Sequence, residues 1–85
     1  MFLVLISKSA KKFLLNIEVN SRERLKKKML SLENFPEVVN VKKIQGRDNL
    51  FRLRAGNFRV VFKVFKKSRE IKITIVRRRN ERTYK

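Results

Sequence analysis

The sequence predicts an α+β fold, with two N-terminal helices packed on one face of a mostly antiparallel sheet in the order β-α-α-β-β-β-β. Three observations predict it. Apolar residues recur at helical spacing between Ser7 and Pro36. After Pro36 the apolar period changes to two. Within that second half, Gly56-Asn57 divides two alternating runs, as a tight hairpin turn would.

Each element follows in order. Met1 to Ile6 is continuously apolar, as a strand inside a sheet should be, and it lacks the basic lead of a signal peptide. Ser7 or Ser9 caps a helix in which Ala10, Phe13, Leu14 and Ile17 share one face. Asn20 with Glu23 resembles a capping box, and Leu25, Met29 and Leu32 line one side of a second helix. Lys26-Lys27-Lys28 reads as the solvated side of that helix, and Pro36 marks its end.

Val39, Val41 and Ile44 suggest a short strand, followed by a turn from Gly46 to Asn49. Phe51, Leu53 and Ala55 then alternate with Arg52 and Arg54. Phe58, Val60, Phe62 and Val64 alternate with Arg59, Val61 and Lys63. Ile71, Ile73 and Ile75 alternate with Lys72 and Thr74, after a link from Lys66 to Arg69. The expected core comprises Phe13, Leu14, Met29, Phe51, Leu53, Val60, Phe62, Ile73 and Ile75.

The 85 residues fit a single domain, and 42% of them are hydrophobic, too many for a disordered basic tail. The chain carries 24 Lys and Arg against 7 Asp and Glu, a formal net charge of +17. Such a charge on so small a body points to a phosphate backbone or an acidic protein as partner. The basic excess is larger in the second half: residues 47–85 hold 14 basic and 3 acidic residues, residues 1–46 hold 10 and 4. There is no Cys and no His, which removes thiolate zinc sites, His-based triads and histidine acid–base pairs. No metal or cofactor is expected. The lack of Cys fits a reducing cytoplasm, and no apolar run is long enough for a membrane helix.

The hairpin register carries the chemistry. With Gly56-Asn57 as the loop, Ala55 pairs with Phe58, Arg54 with Arg59 and Arg52 with Val61. Alternation then sets Arg52, Arg54, Arg59 and Lys63 on the face away from the helices. Like charges directly opposite each other weaken a sheet by some tenths of a kcal/mol, roughly 0.2–1. An anion bridging the pair offsets that cost, because a guanidinium binds phosphate oxygens through two parallel hydrogen bonds. Long arginines splayed over a solvated face are the plainer account of the same spacing. The C-terminal stretch Arg77-Arg78-Arg79-Asn80-Glu81-Arg82-Thr83-Tyr84-Lys85 adds five more cations and the chain's one tyrosine, whose ring can stack on a base.

Together, Leu50 to Phe62, Ile73-Thr-Ile-Val76 and the basic segment closing on Tyr84 resemble the RelE/ParE toxin superfamily, as does the approach Val41-Lys-Lys-Ile-Gln-Gly46. The likeness spans essentially the whole chain. It implies the toxin of a type II toxin–antitoxin module, opposed by an acidic antitoxin. For the RelE-like branch it implies a ribosome-dependent endoribonuclease that cleaves mRNA in the A site. For the ParE-like branch it implies a DNA gyrase inhibitor without the catalytic set. The resemblance gives Arg59 the role of holding the scissile phosphate, with Arg52 and Arg54 as basic residues of the preceding strand. It gives Arg79 the role of acid or transition-state clamp, with Arg78 and Arg82 as alternatives, and Tyr84 that of stacking on the nucleotide. Lys63, Arg77, Arg78, Arg82 and Lys85 are expected to bind RNA around that set.

Overall fold

The structure, a computed structural model, describes residues 1–79. The elements are β1 (Leu3–Ile6), α1 (Lys8–Leu15), α2 (Val19–Leu30), β2 (Val41–Lys43), β3 (Leu50–Ala55), β4 (Phe58–Phe65) and β5 (Glu70–Arg78). A 3-10 turn, Ser31–Asn34, prolongs α2. The five strands form one sheet in the order β1-β5-β4-β3-β2. β2 to β5 pair antiparallel, while β1 lies parallel to β5 at the edge. The two-layer arrangement read from the sequence is the one observed.

Local chemistry accounts for the boundaries. Ser7 caps α1, its hydroxyl accepting from the Ala10 N–H at 3.2 Å. α2 begins one residue before the expected Asn20 cap. Glu18 occupies the cap position, and the Ser21 hydroxyl donates to its carboxylate at 3.3 Å. Leu32 falls on the 3-10 turn and is fully buried. Val39, expected in a strand, lies 71% exposed in the turn before β2, because Asn40 takes a positive φ of 63° and bends the chain there. Gly56 opens the β3–β4 turn at φ 59°, a conformation costly for a side chain.

The core lies between the helices and one face of the sheet. Phe62, Leu25, Met29, Leu32, Leu53, Ile71, Ile73 and Val60 are its largest fully buried side chains. Phe35 meets Phe2, Phe51 and Phe62 edge to face at 5.1 to 6.0 Å between centroids. Phe13 and Phe51 pack against this cluster and are half-buried.

Ile75 departs from expectation, being 41% exposed. The β4–β5 register shifts between Val61 and Phe62: Val61 pairs with Ile75 but Phe62 with Ile73, so Thr74 is an extra residue. This bulge turns Ile75 outward and Val76 inward. It is held from both sides. The Thr74 hydroxyl donates to the Val61 carbonyl at 3.1 Å, and the Thr74 carbonyl accepts from the Ser7 and Ser9 hydroxyls at 2.9 and 3.1 Å. The start of α1 is thereby pinned to the irregularity in β5.

Candidate nucleic-acid interface

The side of the sheet away from the helices carries the cations. Arg54 pairs with Arg59 across β3 and β4, and Arg59 pairs with Arg77 across β4 and β5. Three arginines thus stand in one row across three strands. One step along, a second row runs Lys42, Arg52, Val61 and Ile75. A cleft of about 90 Å³ lies among Asn40, Lys42, Arg52, Arg54 and Arg59. It is far below the roughly 300 Å³ of the smallest ordinary ligand pockets, and suits a single anionic group.

Arg59 is the centre of this arrangement and the half-buried member of it, whereas Arg52, Arg54 and Arg77 are exposed. Partial burial, and then the charges of Arg52, Arg79 and Arg54, hold its guanidinium below its ordinary pKa. Crowded like charges of this kind create a positive potential that an anion relieves.

Arg79 is fixed by the hairpin turn. Its backbone N–H donates to the Asn57 carbonyl at 2.7 Å, and its Nη1 donates to the Gly56 carbonyl at 3.1 Å. Its charge bears on Arg59 from there. Arg78 falls on the opposite side, with its guanidinium 5.4 Å from the centroid of the Phe58 ring. Lys63 shares the outer face, but pairs with Leu50 and Lys72, four residues or about 13 Å along the strand from Arg59. Tyr84, Arg82 and Lys85 lie outside the described residues.

Two lining residues escaped the sequence reading. Lys42 pairs with Arg52 and so shares its face, a position that alternation from Val41 could have flagged. Asn40 sits at the bend before β2, and its carbonyl accepts from the Arg54 N–H at 3.0 Å. That long-range bond brings β2 against β3 and closes the cleft.

The match that decides the family covers residues 4–83: the model of the "ParE toxin of type II toxin-antitoxin system, parDE". The chain belongs to the ParE toxin family, within the RelE/ParE superfamily. Solved structures of RelE proteins share the fold of this toxin. The archaeal RelE–RelB complex from Pyrococcus horikoshii matches with TM-score 0.80 and 29% identity, over 94% of this chain and 97% of that one. RelE in the RelB–RelE complex from Methanococcus jannaschii is 26% identical, with TM-score 0.70 over 88% and 90%. Isolated E. coli RelE gives 0.79 at 18% identity, over 95% and 87%, a likeness of fold. No curated protein matches the toxin by sequence. By family this is a toxin of a type II toxin–antitoxin system, of RelE type by fold, and no described helix is long and apolar enough to cross a membrane.

Proposed function

We propose that this toxin is an endoribonuclease that cleaves mRNA in the ribosomal A site and is held in check by a cognate acidic antitoxin. The observation that carries the reading is the arginine row Arg54–Arg59–Arg77, with half-buried Arg59 at its centre and Arg52 and Arg79 bearing on it. The RelE relatives solved with RelB support the antitoxin.

In this mechanism the substrate's own 2′-OH is the nucleophile. It attacks the adjacent phosphorus and gives up its proton to water, a pentacovalent phosphorane forms, and the bond from phosphorus to the 5′-oxygen of the next nucleotide breaks as that oxygen takes up a proton. The products are a 2′,3′-cyclic phosphate and a 5′-hydroxyl. Arg59 and Arg54 meet the charge that grows on the equatorial oxygens, and Arg79 acts as clamp or acid beside them. Tyr84 stacks on the nucleotide, while Lys63, Arg77, Arg82 and Lys85 hold the flanking phosphates. Arginine stays protonated across the physiological range and is a poor base, and tyrosine at about 10 is largely protonated at neutral pH. The chemistry is therefore electrostatic stabilisation plus positioning, with the ribosome holding the mRNA close to in-line geometry. Naked RNA should be cut poorly.

The test is a primer-extension and end-group assay on translating ribosomes with wild type and Arg59→Ala. Cleavage that leaves cyclic phosphate ends, and is lost in the variant, supports the reading. Wild-type protein that cuts nothing and blocks gyrase supercoiling would give the site to the ParE-like activity instead.

A further inference from the structure

The departing 5′-oxygen needs a proton, and the residues around the cleft differ in whether they can give one. Three of the five that line it, Arg52, Arg54 and Arg59, carry guanidinium groups, which hold their protons through the working range. Partial burial and its cationic neighbours loosen that hold on Arg59, yet Arg59 serves the phosphorane only while it is charged. Asn40 carries an amide, which is neither acid nor base there. The fifth is Lys42. An ammonium is a compact donor with three protons, and it releases one and regains it far more readily than a guanidinium does.

The place of Lys42 suits the same task. Strand β2 ends the sheet, so Lys42 stands exposed at an edge with water beside it. It pairs with Arg52, in a row displaced by roughly 7 Å along the strands from Arg54 and Arg59. A phosphate held by Arg54 and Arg59 therefore has Lys42 on its flank and not in their row. In-line displacement needs this separation, because the leaving oxygen lies off the plane of the equatorial ones. The bond from the Arg54 N–H to the Asn40 carbonyl sets β2, and Lys42 with it, against β3. Lys43 carries the same charge one residue on, but pairs with core-packed Phe51 and does not line the cleft.

We propose that Lys42 is the general acid of the cleavage. The proposal rests on the nuclease reading and deepens it, giving Lys42 the proton and leaving Arg79 as clamp alone. As the bond from phosphorus to the 5′-oxygen breaks, its electron pair goes to that oxygen, and Lys42 Nζ supplies the proton. The amine left behind takes a proton from water at the sheet edge, which restores the site for the next turnover.

The test uses the full chain on ribosomes programmed with a synthetic mRNA whose scissile 5′-oxygen is replaced by sulfur. A thiolate leaves without being protonated, so the loss of an acid no longer matters on that substrate. With the ordinary oxygen mRNA, Lys42→Ala should cleave about 100-fold or more slowly in single turnover. Lys42→Arg should be nearly as slow, since it keeps the charge but not the labile proton. With the sulfur mRNA, both variants should cleave within about threefold of wild type. Arg59→Ala should stay slow on both, because its charge meets the phosphorane whichever atom leaves. Lys43→Ala should match wild type on both. Lys42→Arg cutting the oxygen mRNA at the wild-type rate would overturn the proposal, since charge alone would then suffice. An equal deficit of Lys42→Ala on the two substrates would overturn it too, by tracing the loss to binding or folding. Wild type that cuts neither mRNA would remove the nuclease reading and this acid together. Wild type that cuts, with Lys42 variants that fail these expectations, would remove the acid alone.

Discussion

Strand β4 faces two environments with alternate residues. Toward the helices it presents Phe58, Val60, Phe62 and Val64, all buried. Away from them it presents Arg59, Val61, Lys63 and Phe65, half-buried or exposed. The first set removes apolar surface from water and packs it. The second stacks like charges, with Arg59 between Arg54 and Arg77. One face therefore supplies the stability that the other consumes, and the same backbone ladder carries both. Substitutions one residue apart should consequently fail in different ways, and that contrast can be tested from its largest expected effect downward.

Phe62→Ala should do the most damage. The ring is fully buried and touches Phe35 and Phe51, so truncation should cost about 3–5 kcal/mol in denaturant unfolding. A loss below about 1 kcal/mol would mean that the inner face is not the stabilising one.

Arg59→Ala should invert that pattern. One preorganised donor to a transition state is worth about 2.7–4 kcal/mol, so cleavage should fall roughly 100- to 1,000-fold. Folding should be unharmed or slightly improved. The lowered pKa means that the fold disfavours this cation, and it carries that unfavourable term at every pH where Arg59 is charged. The term fades only as pH rises toward the arginine range, so any gain in Tm should be flat across neutral pH. A clear loss of Tm in Arg59→Ala would erase the contrast.

Gly56→Ala tests the point where the faces meet. Alanine at φ 59° should cost about 1–2 kcal/mol in stability, and the altered turn should shift the two carbonyls that hold Arg79. Stability and cleavage, measured together, should both decline. Ser7→Ala should cost about 1 kcal/mol in thermal unfolding, because the α1 cap and one donor to the Thr74 carbonyl are lost together. Smallest is Ile75→Thr. A residue turned outward by the bulge should change stability by less than about 0.5 kcal/mol, whereas a buried one would cost several times more.

Much of this molecule was determined by sequence alone. The period-two alternation and the Gly56-Asn57 turn specify the β3–β4 register residue by residue, because slipping by one would bury Arg54 and Arg59 and expose Leu53 and Phe62. Arg52, Arg54 and Arg59 were therefore legible on one face from local pattern. The composition likewise pointed to an anionic partner. What tertiary structure decided lies beyond that hairpin. Unbroken alternation through Ile71, Ile73 and Ile75 would direct Arg77 toward the helices and Arg78 outward. The extra residue at Thr74 reverses both, bringing Arg77 beside Arg59 and sending Arg78 over Phe58. Nothing within β5 requires that bulge. It is favoured because the freed Thr74 carbonyl finds the Ser7 and Ser9 hydroxyls, more than sixty residues away in the chain. Asn40 and Lys42 join the cleft for a similar reason, through the bond from the Arg54 N–H that closes β2 onto β3. Local period sets which side chains alternate; long-range hydrogen bonds decide where the alternation breaks.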